Sequence, residues 1–229
     1  MRIIQAIVVT LAMLAAMPGS GARAQGSEAF YVVTYIEVMP SSQSAAAALL
    51  GDYAKASRSQ DGVLRFETLQ RIDRPSHFSI LEAWKDQKAF EAHAGAASTK
   101  HFRDAVASHL SSGYDERPHV GMVVGEPRAD AGADAVVAVT HVDFIPPKKD
   151  DGIAASKTLA DATLKAEKPV RFEVLQQASR PNHLSFVEIW PSQKAIEAHW
   201  VTDATKKFRT ETLPMSGSLY DERLYRVMK

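Results

Sequence analysis

A glutamate, a tryptophan and a histidine occur together twice in this sequence, at matching distances from one another. The two sets are Glu82, Trp84, His93 and Glu188, Trp190, His199. A carboxyl group and an imidazole can take up and release protons, and an indole offers a broad apolar face with one N–H donor. Three such side chains that converge on one cavity would make a site for a small organic molecule.

The elements around each set predict that its members face one another. Glu82 and Trp84 lie two residues apart in a predicted strand, so their side chains share one face of a sheet. Their neighbours on that face are apolar, which places the face beneath helices. In the helix predicted to follow, His93 belongs to the inward-facing apolar stripe. The second set repeats this arrangement.

The two sets belong to a tandem duplication. Residues 78–93 (FSILEAWKDQKAFEAH) return as residues 184–199 (LSFVEIWPSQKAIEAH), a shift of 106 positions. The same shift relates LRFETLQ to VRFEVLQ and one YDER to the other, without insertion or deletion from about residue 32 onwards. The sequence therefore predicts two domains, residues 29–124 and 136–229, joined by a small, polar linker at residues 125–135.

In each copy the pattern predicts the order strand–helix–strand–strand–helix–strand. In the first copy, strands are predicted at residues 30–39, 63–72, 77–84 and 114–124, a helix at about 42–58, and helical pieces at 87–93 and 99–109. This is the α+β, ferredoxin-like βαββαβ arrangement, with helices on one face of an antiparallel sheet. The bare sheet face must also be buried, so we expect the two copies to close an intramolecular, pseudo-dimeric α+β barrel.

The N-terminus has the pattern of a signal peptide. A positive start at Arg2, an apolar run over residues 3–16 and the Ala-Arg-Ala site at 22–24 predict cleavage before Gln25. The apolar run is shorter than the roughly 20 residues that span a bilayer, which disfavours a stable membrane anchor. We expect residues 1–24 to direct export, to the periplasm or the medium.

Composition excludes several kinds of chemistry. The 27 basic and 27 acidic residues balance, which argues against a nucleic-acid partner. The chain has no cysteine, and thiol catalysis and iron–sulfur clusters are excluded with it. His101 in the first copy becomes Lys207 in the second, and no histidine spacing typical of a metal site occurs. We expect no metal and no organic cofactor, since no nucleotide or phosphate-loop motif is present.

Structural interpretations compete with the functional ones. Trp84 could be a core residue, and His93 a buried histidine that bonds a strand carbonyl or Glu82. A buried Glu82 needs a partner, for which Arg65, His93 and a backbone donor are the candidates. The twin Arg-Phe-Glu segments, residues 65–67 and 171–173, are interpreted as surface charge pairs between strands. The YDER segments are interpreted as packing and ion-pair features.

The βαββαβ order and the E-x-W-x-(D/S)-Q-K-A-(F/I)-E-A-H segment resemble the antibiotic biosynthesis monooxygenase family, over both copies. This resemblance implies dimeric α+β barrels, some of which oxidise phenols and quinols with O₂ and without a cofactor, while others degrade haem. It maps the family's strand tryptophan to Trp84 and Trp190, and its helix histidine to His93 and His199. Neither first strand carries the asparagine of haem-degrading members, which disfavours haem breakdown, although His101 leaves the first copy open to it.

We therefore expect an exported monooxygenase-like enzyme acting on a small aromatic, quinol-type molecule and O₂. The predicted catalytic residues are Trp84, His93, Trp190 and His199. The predicted substrate-binding residues are Tyr35, Phe66, Glu82, Phe90, His141, Phe172, Glu188 and Trp200. The copies differ where Tyr35 corresponds to His141 and Ala94 to Trp200, so one or both copies could be active, with a smaller second pocket. The alternatives are a non-catalytic small-molecule-binding protein and a structural barrel, and either could assemble into a higher homo-oligomer.

Overall fold

The computed structural model describes residues 29–125 and 131–228. The predicted signal peptide and residues 126–130 of the predicted linker lie outside these ranges, and export stays a prediction. Within the two described ranges, no helix is both long and apolar enough to cross a membrane.

Each repeat has the βαββαβ order, which confirms the predicted fold class. The first repeat contains β1 (Phe30–Glu37), α1 (Gln43–Arg58), β2 (Val63–Arg71), β3 (His77–Trp84), α2 (Gln87–Ala94), α3 (Ala97–Ala107) and β4 (Asp115–Val124). The second contains β5 (Val136–Asp143), α4 (Lys149–Ala166), β6 (Arg171–Gln177), β7 (His183–Trp190), α5 (Gln193–Trp200), α6 (Asp203–Thr212) and β8 (Asp221–Val227). The helix after β3 is in two pieces, as the small-residue break at residues 94–98 predicts.

The eight strands close into one antiparallel barrel with the order β1-β3-β2-β8-β5-β7-β6-β4. Each repeat contributes a four-stranded sheet, and the sheets join edge to edge where β2 pairs with β8 and β4 pairs with β6. The predicted intramolecular barrel is confirmed. Backbone hydrogen bonds at the two seams close it, so the described strands leave no unpaired sheet edge.

Side-chain alternation separates an inner core from two outer ones. The barrel interior is filled by buried residues from both repeats, including Tyr31, Val33, Leu69, Val137 and Leu175. The opposite face of each sheet packs beneath its own helices, around Phe78 and Trp84 in the first repeat. A residue's position in the strand alternation therefore decides whether it can reach the barrel interior or the helix-side layer.

The arginine and the glutamate of each Arg-Phe-Glu segment face the barrel interior and pair between the repeats, so their interpretation as surface charge pairs is wrong. The phenylalanine of each segment points to the helix side. Arg65 donates two hydrogen bonds to Glu173, each 2.8 Å long. Arg171 likewise donates to Glu67, with 3.1 Å between Nη1 and Oε1. The Glu173 side chain is 1% exposed. The two pairs cross between the repeats, because the closed barrel brings β2 and β6 to face each other across its interior.

The helix-side cores of the two repeats are filled by different residues at equivalent positions. Phe144 in the second repeat stands where the first has Val38, and Gly152 in α4 stands where α1 has Ala46. A Cβ atom added at Gly152 would lie 2.5 Å from the Phe144 ring. The larger ring and the absent side chain therefore compensate for each other.

Gly152→Ala is expected to destabilise the protein by about 1–3 kcal/mol, because overpacking outweighs the gain in helix propensity of about 1 kcal/mol. Adding Phe144→Val recreates the Val38/Ala46 combination and should recover most of that loss. Urea unfolding of both single variants and the double variant measures the coupling between the two sites. Strictly additive effects would show that the two positions do not compensate.

Candidate functional site

The first glutamate, tryptophan and histidine converge between β3 and α2. The indole Nε1–H of Trp84 donates to Glu82 Oε2 at 2.8 Å, and His93 Nε2 lies 3.6 Å from the same oxygen. The Trp84 and His93 rings stack with their centroids 4.5 Å apart. All three side chains are buried. The structure therefore brings together the residues that the strand and helix periodicities place on one face.

The second set repeats this geometry between β7 and α5. Trp190 Nε1–H donates to Glu188 Oε2 at 2.8 Å, and His199 Nε2 lies 3.7 Å from that oxygen. The Trp190 and His199 rings stack at 4.8 Å. The expected contact between Glu82 and Arg65 is wrong, because Arg65 lies on the other face of the sheet. The strongest donor to each glutamate is the tryptophan two residues further along the strand.

Short helices that start directly after the strands position the two histidines. Asp86 caps α2 by accepting a hydrogen bond from the Ala89 amide at 2.7 Å, and Ser192 caps α5 by accepting from Ala195 at 3.3 Å. A helix that begins there folds back over the sheet, which brings its last turn above the strand tryptophan. The histidine of that turn faces the sheet.

The imidazoles have different hydrogen-bond partners in the two repeats. His93 Nδ1 lies 2.8 Å from Gln60 Oε1, which can only accept, so Nδ1 carries the proton. His93 Nε2 then accepts from the Tyr53 hydroxyl at 2.8 Å. His199 Nδ1 instead donates to the Glu167 carboxylate at 2.9 Å. Leu159 occupies the position equivalent to Tyr53, so no phenol caps His199.

Sequence reasoning missed Tyr53, Gln60 and Glu167. Tyr53 falls in the apolar stripe of α1, and the other two follow the ends of α1 and α4. A difference between the copies could have indicated Tyr53: the first copy has a phenol there, in an otherwise apolar pattern, where the second copy has Leu159. Only the packing of α1 and α4 against α2 and α5 shows that these positions meet an imidazole.

Burial keeps both helix-side clusters uncharged near neutral pH. It raises the pKa of Glu82 and of Glu188 to about 8, although the tryptophan hydrogen bonds act in the opposite direction. Burial also lowers the pKa of His93 to about 4, and nearby Arg103 adds to the effect. The pKa of His199 is lowered by burial too, against the hydrogen bond that His199 donates to Glu167. At neutral pH, protonated carboxyls thus face neutral imidazoles.

Two open depressions occupy equivalent places beside α2 and α5. The first has a volume of about 540 Å³, and its lining includes Gln60, Asp61 and His93. The second, of about 330 Å³, is lined by Glu167, Lys168, Trp190, Pro191, Ala195, Ala198 and Thr202. Trp190 lines the second depression, whereas Trp84 is fully buried and does not line the first.

The other predicted site residues divide between three places. Phe66 and Phe90 pack around His93, and Phe172 packs around His199, with ring centroids 5.7, 6.4 and 6.1 Å away. Trp200 does not line the second depression. It donates to Glu222 at 3.1 Å in a separate recess beside Arg71 of the first repeat. The expectation that Trp200 narrows the second pocket is therefore wrong, although that depression is the smaller.

Tyr35 and His141 lie on the barrel-interior side of the sheets. Tyr35 is held between Arg117 and Arg223, each 4.9 Å from its ring centroid. His141 Nε2 lies 3.1 Å from His183 Nδ1. The predicted grouping of Tyr35 and His141 with the helix-side residues is incorrect, because the sheet separates the two sides. Arg117 also pairs with Asp115 of the first YDER segment at 2.6 Å, in line with an ion-pair role.

The potential for metal binding is limited in the part of the chain that the structure describes. No three histidine, aspartate or glutamate side chains converge there as ligands. Each glutamate–tryptophan–histidine set contains one imidazole and one carboxyl, both neutral near pH 7. They are suited to hydrogen bonding and proton transfer rather than to holding a cation.

Comparisons with known proteins agree with this architecture. A model of the family "antibiotic biosynthesis monooxygenase" matches residues 29–108 and 135–211, more than half of the chain. No curated protein matches the chain.

Several solved structures have a similar fold. A "putative monooxygenase" from Fusobacterium nucleatum subsp. nucleatum ATCC 25586 superposes with a TM-score of 0.79 at 15% identity, covering 89% of this chain and 94% of that one. Another so named, from Lactobacillus acidophilus NCFM, gives 0.71 at 14% identity, with 87% and 94% covered. An anthrone oxidase-like protein gives 0.67 at 16% identity, with 90% and 93% covered. At these identities the likeness concerns the fold. The match of the family model to both repeats shows that the chain belongs to the antibiotic biosynthesis monooxygenase family.

Proposed function

We propose that this protein is a monooxygenase that oxidises a small aromatic, quinol-type molecule with O₂ at the depressions beside α2 and α5. The observation that carries the proposal is the duplicated glutamate–tryptophan–histidine cluster, which stands behind each depression in a chain of this family. A pocket with an apolar wall and a few polar groups is typical of sites for small aromatic molecules.

The proposed reaction converts a quinol and O₂ into a hydroxyquinone and water. One oxygen atom replaces a ring hydrogen as hydroxyl, and the other leaves as water, so the substrate supplies all four electrons. Loss of a phenolic proton makes the ring a better electron donor to O₂. The protein's part is to orient the ring, accept that proton and stabilise the developing anion. Groups with these capacities lie at the two depressions.

The test is oxygen incorporation by the purified protein starting at Gln25, with a panel of quinols under ¹⁸O₂. We expect enzyme-dependent O₂ uptake and one ¹⁸O atom in the product. In the His93→Ala/His199→Ala double variant the rate should fall by about 10²-fold, since both imidazoles hold the polar groups that line the depressions. His101→Ala changes an exposed histidine of α3 and serves as the control. Incorporation at the rate of autoxidation, or equal rates in the double variant, would rule the proposal out.

A second candidate is a non-catalytic protein that binds an apolar ligand or acts as a structural barrel. The observation in its favour is that the three side chains are buried with their hydrogen bonds made inside the protein: Trp84 donates to Glu82, and His93 bonds Tyr53 and Gln60. Saturable binding of quinols without ¹⁸O incorporation would favour the binding protein. The absence of both binding and incorporation would favour the structural barrel.

A further inference from the structure

Both depressions have carboxylates and lysines on their walls, but only the second also has a tryptophan there, and only in the second is the partner of the imidazole a carboxylate. Trp190 offers an aromatic edge, Glu167 a carboxylate and Lys168 a cation, all on the wall of the same volume of about 330 Å³. In the first depression, Gln60 replaces the carboxylate as the partner of the imidazole, and the equivalent tryptophan is absent from the lining. An amide cannot accept a proton at neutral pH, whereas a carboxylate can.

A substitution between the repeats explains why only one acidic side chain turns towards an imidazole. Asp61 and Glu167 occupy equivalent positions. Asp61 pairs with Lys85 at 2.9 Å and points into solvent. The second repeat has Pro191 in place of Lys85, which removes that cation. Glu167, longer by one methylene, reaches His199 Nδ1 at 2.9 Å instead, and its side chain is 18% exposed.

The backbone beside Glu167 is also unusual. Lys168 has a φ of 55°, in the left-handed region that non-glycine residues seldom adopt. The equivalent residue in the first repeat is Gly62, with a φ of 80°. A lysine therefore occupies a position where glycine would be unstrained, and it lines the depression. Strained non-glycine residues that persist in this way occur often at ligand sites.

We propose that the second repeat holds the working site, where Glu167 accepts the phenolic proton of a small aromatic substrate and Lys168 faces the resulting phenolate. This inference rests on the proposed function. In the step, the phenol O–H bond breaks with its electron pair left on the phenolate oxygen, the proton forms an O–H bond with the Glu167 carboxylate, and nothing is oxidised or reduced. His199 is a positioning residue, because its Nδ1–H holds the carboxylate at the depression. In the first repeat the imidazole bonds Tyr53 and Gln60 instead, neither of which is a carboxylate.

Single-site kinetics test the assignment. We expect Glu167→Gln to lower kcat/KM for the best quinol by about 10²-fold and the equivalent Asp61→Asn by less than about twofold. Glu197→Gln, at an exposed glutamate of α5, is the matched control. His199→Gln keeps an N–H donor and should retain more activity than His199→Leu, as a positioning role requires. Equal losses in the Glu167 and Asp61 variants would overturn the inference while leaving the proposed function intact.

A binding measurement separates the two proposals. Titration with 4-nitrophenol, followed by its absorbance, reports both occupancy and ionisation of a bound phenol. We expect Trp190→Phe and Lys168→Gln to weaken binding severalfold, and each of them to weaken it more than Trp84→Phe does. This pattern without any ¹⁸O incorporation would support the second-repeat site and refute the oxygenase. Binding that responds to Trp84→Phe and ignores Trp190→Phe would refute the second-repeat site.

Discussion

Glu173→Gln is expected to destabilise the protein by about 3–5 kcal/mol, because it leaves Arg65 and Arg171 with only Glu67 to balance their charges inside the barrel. Arg65 makes both of its hydrogen bonds to Glu173, whose side chain is buried. Urea unfolding at pH 7 measures the loss. Glu67→Gln is the matched variant at the equivalent position, where the side chain is 21% exposed, and it should cost less.

The loss of stability in Glu173→Gln should come from the unbalanced positive charge that remains inside the barrel, rather than from the net contribution of the ion pair to the free energy of unfolding. Arg65→Met/Glu173→Met removes both charges and leaves the Arg171–Glu67 pair in place, so it should recover most of the stability. A Glu173→Gln variant within about 1 kcal/mol of the wild type would mean that water reaches Arg65.

The Glu173 pair should also make the barrel sensitive to acid. Burial alone would raise the pKa of Glu173, but Arg65 and Arg171 outweigh it and hold the pKa below its usual value. A carboxyl with a lowered folded pKa contributes stability above its unfolded pKa, and that stability is lost as pH falls through the folded pKa.

Between pH 7 and 9 the protein is expected to lose about 3 kcal/mol of unfolding free energy, because two buried carboxyls give up their protons. The pKa of Glu82 and of Glu188 is raised from 4.5 to about 8, chiefly by burial. A raised folded pKa contributes stability that is complete below the unfolded pKa and disappears as pH rises through the folded one. Titration of His93 and His119 does not contribute above pH 7, because their lowered pKa values place it at more acidic pH.

Glu82→Gln should remove about half of this pH dependence, and Glu82→Gln/Glu188→Gln nearly all of it. The measurement is the change in unfolding free energy between pH 7 and 9, so a constant packing cost of the amide cancels. Glu91→Gln, at an exposed glutamate on α2, should keep the wild-type slope. An unchanged slope in the double variant would mean that both carboxyls are ionised in the folded protein at pH 7.

The two repeats can diverge because each builds its own helix-side layer. Residues facing the barrel interior must fit both sheets. The arginine and glutamate of each Arg-Phe-Glu segment are the same in both copies there, although Tyr35 and His141 differ. Residues between a sheet and its helices pack mainly against their own repeat, and Tyr53/Leu159 and Val38/Phe144 differ there. The shared barrel thus leaves each helix side free to change.

The sequence by itself determined the duplication, the βαββαβ order and the convergence of each glutamate, tryptophan and histidine. These features follow from local periodicities of two and 3.6 residues, because the periodicity determines which side chains share a face of a strand or helix. Only the tertiary structure decided what each face of β2 and β6 packs against. The charged residues predicted at the surface therefore form pairs inside the barrel. The tertiary structure also brought Glu167 to His199 and placed Tyr35 across the sheet from Trp84. These contacts depend on the register and packing of elements distant in sequence, about which local periodicity carries no information.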